Sequence, residues 1–117
     1  MDKFYEISET SYDIIFEVDL ERRVEYISPE IKKILGYNAY EMLGKKYNKF
    51  FLITDMPIVD DTFQAALSGK STLFHEIHAI SKDGINVPLE IKLIPIFDNQ
   101  KVIGVHGVAR VIAHASE

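Results

Sequence analysis

The chain has 117 residues, a length that fits a single domain because one hydrophobic core commonly encloses about 100 to 150 residues. Hydrophobic residues make up 47% of the chain and charged residues 26%, a balance typical of folded globular proteins and not of disordered ones. The absence of cysteine excludes disulfides, thiolate metal sites and cysteine nucleophiles, and a net charge of -5 without a basic cluster argues against nucleic-acid binding.

The first part of the chain predicts a flanking helix and two strands. Residues 1–12 suit a short amphipathic helix because their apolar side chains recur at helical spacing. Its apolar side would consist of Phe4, Tyr5 and Ile7. The β-branched and aromatic runs 14–20 and 24–27, separated by a polar turn, predict two short antiparallel strands.

Two very short helices are predicted next. Ser28 and Pro29 indicate a helix start, because a serine hydroxyl commonly caps a helix and proline is tolerated at the first helical position. Gly36 and Gly44 each indicate a helix end, since glycine readily adopts the left-handed backbone found there. The first helix would bury Ile31, Ile34 and Leu35.

The middle of the chain predicts one helix of ordinary length. Residues 45–55 show no sustained period, whereas residues 57–68 show helical spacing and are followed by Gly69. The apolar side of this helix would be formed by Ile58, Val59, Phe63, Ala66 and Leu67. Asp60 and Asp61 are expected to face solvent, because adjacent side chains of a helix point about 100° apart and do not form a carboxylate pair.

Three further strands are predicted at residues 73–81, 87–97 and 102–112. The turns between them, 82–84 and 98–100, contain Asp, Gly and Asn, which tolerate left-handed backbone. In the second of these strands apolar and polar residues alternate cleanly, so one sheet face is expected to be buried. This order of elements predicts an α+β domain with helices covering one face of an antiparallel sheet.

Several short segments of the chain resemble, in order and spacing, those of the PAS/PAC family over residues 11–112. They are Asp19 at the end of the first strand, Tyr26-Ile27-Ser28-Pro29, Leu35-Gly36-Tyr37, Glu41-Met42-Leu43-Gly44, Lys82-Asp83-Gly84 and the run from Ile103 to Arg110. The resemblance implies a PAS fold, with a five-stranded antiparallel sheet in the order 2-1-5-4-3 and with short helices and one longer helix on one face. It divides the chain into a flanking helix (1–12), a PAS domain (13–113) and a tail (114–117) leading toward an effector region outside this sequence.

The resemblance also implies a cavity between the sheet and the helices, lined by apolar residues and one glycine. The implied positions are Phe16, Val18, Leu43, Ile77, Ala79, Leu89, Ile91, Leu93, Val105, Gly107 and Ala109. His75 would share the strand face of Ile77 and Ala79, so it is a further pocket candidate, although a place at the sheet margin is favoured. Such a cavity could hold a small hydrophobic ligand or be filled by its own side chains.

No cofactor and no metal are expected in this cavity. Ala109 stands where flavin-binding relatives place a glutamine, and the cysteine of their photochemistry is absent. Haem-binding relatives supply a histidine from the longer helix, and residues 57–69 contain none. His78 and His106 would lie on the opposite sheet face, meeting across strands or at a dimer contact, and they lack carboxylates at the short sequence spacing of a zinc site.

We therefore predict a regulatory PAS module, without enzyme activity of its own, that relays a conformational signal. Its partners would be a second copy, contacted through residues 1–12, and an effector domain of the same polypeptide, such as a histidine kinase or a diguanylate cyclase. The alternative is a sensor that binds a small hydrophobic ligand.

Two further expectations concern the ends of the domain and its surroundings. Many relatives end the last strand with Asp-Ile-Thr, whereas this chain has Val111-Ile112-Ala113, which leaves Arg110 without the acidic partner of that motif. No apolar run approaches the roughly 18 residues that a membrane-spanning helix needs, and a signal peptide pattern is absent. A soluble, cytoplasmic segment without membrane contact is expected.

Overall fold

Five antiparallel strands form one sheet. The computed structural model describes residues 14–112, except for the side chain of His75. The strands are β1 (Ile14–Val18), β2 (Val24–Ile27), β3 (Thr72–Ile80), β4 (Asn86–Asp98) and β5 (Lys101–Val111). They lie in the order β2-β1-β5-β4-β3, which confirms the predicted order. The predicted flanking helix over residues 1–12 lies outside the described residues.

Short helices between β2 and β3 cover one face of this sheet. They are α1 (Ile31–Leu35), α2 (Ala39–Met42) and α3 (Met56–Leu67), with 3₁₀ turns at Tyr47–Phe50 and Ile53–Asp55. The predicted long helix is confirmed, although Ile58, expected on its apolar side, is 60% exposed. Among residues 14–112, no helix is long and apolar enough to cross a membrane.

The inner face of the sheet and the helices share one hydrophobic core. Leu89, Ile91 and Leu93 of β4 are at most 3% exposed, as their alternation with polar residues predicts. From the helical side, α3 buries Val59 and Phe63. Because both layers are amphipathic, each covers the apolar face of the other.

The turn between β4 and β5 has the conformation that its residues predict. Asn99 and Gln100 both have positive φ, at 53° and 72°. Two successive left-handed residues make the hairpin turn whose twist matches that of paired strands. The long β4–β5 hairpin therefore continues the sheet twist through its turn.

Ser28 does not cap a helix, contrary to the prediction. Its hydroxyl accepts a hydrogen bond from the Ile15 N–H (2.9 Å), and its own N–H donates to the Ile15 carbonyl (2.8 Å). Ser28 is buried, and it extends the pairing of β1 with β2 beyond the end of β2. The serine hydroxyl is engaged by the sheet, so α1 begins without a side-chain cap.

A β-bulge interrupts β3. Phe74 pairs with Ile91 and Ile77 with Leu89, so three steps along β3 match two along β4. Phe74, Ile77 and Ala79 are all buried, so strict alternation along β3 is broken between residues 74 and 77. The extra residue of the bulge has no signal in the local sequence.

Residues 44–52 form a strap that is hydrogen bonded to both outer strands of the sheet. At the β2 edge, the Gly44 N–H donates to the Val24 carbonyl (2.8 Å), and the Val24 N–H donates to the Lys45 carbonyl (2.9 Å). At the β3 edge, the Leu52 N–H donates to the His78 carbonyl (2.9 Å). Residues 44–52, which show no sequence periodicity, therefore run from one edge of the sheet to the other.

Candidate ligand cavity and its surroundings

A small cavity of about 60 Å³ lies between the inner sheet face and the helices. Six of the predicted positions line it: Phe16, Val18, Ala79, Leu89, Ile91 and Ala109. Ile77, Leu93 and Val105 are buried in the core, outside the lining. These six positions on the sheet are among those that the family resemblance implied.

Leu43 was wrongly predicted to face the cavity. It follows α2 in an extended conformation and is 43% exposed. Its neighbour Met42, the last residue of α2, is 4% exposed and lines the cavity. The side chain of His75 lies outside the described residues.

Sequence reasoning missed most of the helical side of the cavity. The lining residues on this side include Ile31, Leu35, Met42, Tyr47, Phe50 and Phe63. Ile31 and Leu35 had a usable signal, since their spacing of four residues puts them on one helix face. Tyr47 had no such signal, because it lies in the strap, where apolar residues do not recur at a regular spacing.

The Phe16 ring packs against Gly107 at the sheet side of the cavity. They are directly opposite each other on β1 and β5, and a Cβ atom added to Gly107 would lie 2.2 Å from Phe16 Cζ. The Phe16 ring thus occupies the space that a side chain at position 107 would take. The remaining cavity is smaller than an apolar cavity of about 150 Å³, which can hold benzene.

Tyr47 has its ring on the cavity and its hydroxyl on a polar network. The ring packs on Phe63 with centroids 4.1 Å apart, and the hydroxyl donates to Asp60 Oδ1 (2.7 Å). Arg22 Nη1 lies 3.5 Å from the same oxygen. Burial, and next the hydrogen bond to Asp60, raise the pKa of Tyr47, so the phenol stays neutral and donates. Asp60, expected to be simply solvated, is a member of this network.

Two histidines lie beside carboxylates on different parts of the sheet. His78 Nδ1 lies 3.1 Å from Asp55 Oδ2, and its Nε2 lies 3.1 Å from Glu76 Oε2. His106 Nδ1 lies 3.4 Å from Glu17 Oε2. His78 and His106 are on β3 and β5, which β4 separates, so the expectation that they meet across strands was wrong. Among residues 14–112, no group of three side chains is arranged to hold a metal ion.

A family model described as a PAS domain matches residues 12–112. This chain belongs to the PAS domain family. No curated protein is significantly similar to it in sequence.

Solved PAS-like structures share the fold at low sequence identity. A domain of a putative light and redox sensing histidine kinase from Haloarcula marismortui is 20% identical, with a TM-score of 0.80 and coverage of 97% of this chain and 100% of that one. The PAS domain of a Colwellia psychrerythraea protein is 20% identical, with a TM-score of 0.79 and coverage of 95% and 94%. The N-terminal domain of a diguanylate cyclase with a PAS/PAC sensor from Marinobacter aquaeolei is 18% identical, with a TM-score of 0.74 and coverage of 84% and 93%.

Strand β4 of this PAS domain supplies an acidic partner for Arg110 of β5. Glu90 is directly opposite Arg110 in the β4–β5 register, and Arg110 Nε lies 3.4 Å from Glu90 Oε1. Val111 continues the pairing with β4, and the Ile112 N–H donates to the Pro88 carbonyl (3.0 Å). Arg110 is therefore paired with a carboxylate of the sheet, although the Asp-Ile-Thr motif of many relatives is absent.

Proposed function

We propose that this PAS domain is a regulatory module that relays a conformational signal without a tightly bound cofactor and without catalysis of its own. The observation that carries the proposal is the packing of Phe16 over Gly107, which leaves a cavity of about 60 Å³. We infer that the Phe16 side chain fills space that a ligand would otherwise occupy. The signal then arises from a change in how the domain packs or pairs with a partner.

Strand β5 is the proposed route of this signal. Its residues alternate between the cavity side, where Gly107 and Ala109 are buried, and the outer face, where His106 and Arg110 contact carboxylates of β1 and β4. A shift of β5 relative to Phe16 would change these outer contacts. A partner that binds one arrangement better than the other shifts the population toward it.

The proposed effector is a histidine kinase or a diguanylate cyclase. Two of the similar structures come from proteins described in those terms. We also propose that the domain works as a homodimer. Residues 1–12, which sequence reasoning assigns to the dimer contact, carry the apolar side chains Phe4, Tyr5 and Ile7.

Absorbance and mass spectrometry of the purified chain test the absence of a resident cofactor. We expect no absorbance band in the visible range and no small molecule in stoichiometric amount after denaturation, because the cavity beside Phe16 is only about 60 Å³. Protein purified and extracted in the same way from a Phe16→Ala variant serves as a control with an enlarged cavity. A stoichiometric flavin, haem or other pigment in the wild-type chain would overturn the proposal.

Sedimentation velocity over a range of concentrations tests the homodimer. We expect a dimer whose dissociation becomes easier in a Phe4→Ser/Ile7→Ser variant, because those side chains would lose their apolar contact. Tyr40→Ser is the matched control, since Tyr40 is an exposed aromatic residue elsewhere on the surface. A wild-type chain that stays monomeric at every practical concentration contradicts this part of the proposal.

One observation supports the second candidate, a sensor of small apolar molecules. The remaining cavity is lined by apolar side chains, and the Tyr47 hydroxyl is engaged by Asp60. Dry apolar cavities bind apolar guests of matching size. Xenon is small enough to test the wild-type cavity, and saturable shifts of the amide signals around Ala109 would favour the sensor over the relay.

A further inference from the structure

Four cations surround an open cleft at the start of the strap. The cleft has a volume of about 420 Å³ and is lined by Arg23, Gly44, Lys45, Lys46, Asn48 and Lys49. Arg23 Nη1 donates to the Gly44 carbonyl and Lys45 Nζ to the Glu41 carbonyl, both at 3.0 Å. In the described part of the chain, none of the four cations forms an ion pair with a carboxylate.

Main-chain pairing brings these cations together from separate parts of the sequence. Arg23 and Lys46 are partners in an antiparallel bridge between the end of the β1–β2 turn and the strap. The bridge is fixed on both sides, since the Val24 N–H donates to the Lys45 carbonyl (2.9 Å) and the Tyr47 N–H to the Arg22 carbonyl (3.0 Å). In the sequence Lys45 and Lys46 are only an isolated pair of lysines, and folding turns them into part of a cluster.

The cleft reverses the charge of the molecule locally. The chain has a net charge of -5, whereas the four side chains carry +4. The nearby carboxylate of Asp19 is engaged by the main chain, because its Oδ1 accepts the N–H groups of Glu21 and Arg23, both at 2.9 Å. A concave surface lined by one sign of charge concentrates ions of the other sign, and a bound anion would relieve the repulsion among the cations.

A second open cleft, of about 430 Å³, adjoins the first and shares Lys46 and Asn48 with it. Its wall includes Met56 and Ile53, and the Ile53 side chain is 79% exposed. Cations therefore lie next to exposed apolar surface. The charge of Arg22 in this second cleft is opposed by Asp60.

We propose that the cleft of Arg23, Lys45, Lys46 and Lys49 binds the phosphate groups of an organic phosphate, whose apolar part lies against Ile53 and Met56. Several converging cations suit an anion of multiple charge. The concave shape favours a small molecule over an extended surface. This site lies outside the Phe16 cavity, so it goes beyond the proposed function and does not depend on it.

Titration of the ¹⁵N-labelled chain at low ionic strength tests the proposal, with sodium pyrophosphate and adenosine triphosphate as separate probes. We expect saturable shifts of the amide signals of residues 44–49 that weaken with added salt. Triphosphate should bind more tightly than pyrophosphate, and Ile53→Ser should remove that difference. Equal affinities for the two probes in the wild-type chain would overturn the contact with Ile53 and Met56.

A pair of double variants separates site binding from general charge. Lys46→Gln/Lys49→Gln should weaken pyrophosphate binding by about fivefold or more. Lys92→Gln/Lys101→Gln removes the same charge from exposed positions on β4 and β5 and should leave the affinity within about twofold. The absence of saturable shifts, or equal weakening in both variants, would overturn the proposal. So would binding to phosphatidylglycerol-containing vesicles without any response to pyrophosphate, since that result indicates a membrane surface.

Discussion

Phe16 and Gly107 depend on each other because the aromatic ring occupies the space above the glycine. Substituting Gly107 by alanine places a methyl group 2.2 Å from Phe16 Cζ, so the ring must move. Overpacking of this kind costs about 1–3 kcal/mol. The pair thus contributes to the packing of β1 against β5.

A double-mutant cycle on this pair tests the dependence. Gly107→Ala should destabilise the wild-type chain by about 1–3 kcal/mol and should cost much less in a Phe16→Ala background, where the ring is absent. Phe16→Ala alone should cost about 3–5 kcal/mol. Urea unfolding of the four proteins supplies the coupling energy, and strictly additive effects would show that the ring does not lie over Gly107.

The raised pKa of Tyr47 predicts that the domain loses stability at alkaline pH. The pKa of Tyr47 is raised in the folded state, first by burial and then by the hydrogen bond to Asp60. Because the folded chain holds this proton more tightly than the unfolded chain, its contribution is complete below the ordinary tyrosine pKa of about 10 and declines as the pH rises above it. Tyr47→Phe should remove that decline while costing about 1–2 kcal/mol at neutral pH.

Unfolding free energies at a series of pH values from neutral to strongly alkaline provide the measurement. Tyr26→Phe is the matched control, since Tyr26 is a 46% exposed tyrosine on β2 and its removal should leave the alkaline decline in place. Identical pH profiles for Tyr47→Phe and the wild type would contradict the assigned cause.

At the level of elements, Asp55 joins the start of α3 to the edge strand β3. Its Oδ2 accepts the His78 N–H (2.8 Å) and lies 3.1 Å from the imidazole Nδ1. Asp55→Ala should therefore destabilise the domain by about 1–3 kcal/mol, because a main-chain donor loses its partner. Urea unfolding measures the effect. Asp61→Ala, at an exposed position of α3, should stay within about 0.5 kcal/mol of the wild type; an equal loss in both variants would deny Asp55 this role.

The elements also show which features the sequence predicts and which it does not. The alternation of Leu89, Ile91 and Leu93 predicts a buried face because each side chain follows from its own position in β4. The bulge in β3 depends on pairing with β4, and no local pattern specifies it. The role of Ser28 also has no local signal, since its hydroxyl accepts a hydrogen bond from the N–H of Ile15, thirteen positions earlier in the chain.

At the candidate site, several residues of the sheet were predicted in advance, whereas residues of the strap were not. The cavity residues on β1, β4 and β5 were implied by the family resemblance. Tyr47 was missed because a 3₁₀ turn offers no repeating pattern. Leu43, which the family resemblance placed in the cavity, follows the end of α2 in an extended conformation. The close approach of Phe16 to Gly107 joins two strands, so only the register reveals it.

For the molecule as a whole, a single shared core predicts cooperative unfolding. Side chains from the helices and from the sheet pack together in one core. Loss of either layer therefore exposes the apolar side chains of the other. Urea unfolding followed by far-ultraviolet circular dichroism and by tyrosine fluorescence should therefore give coincident transitions. A helical signal that disappears at lower urea than the sheet signal would show that the two layers unfold separately.

The strap gives the sheet some of the properties of a closed ring. Because residues 44–52 bond to Val24 on one rim and to His78 on the other, flattening of the sheet would stretch the strap until one of these attachments broke. The strap thus opposes flattening of the sheet. The same attachments occupy main-chain groups at both rims, where a foreign strand would otherwise add to the sheet and begin aggregation.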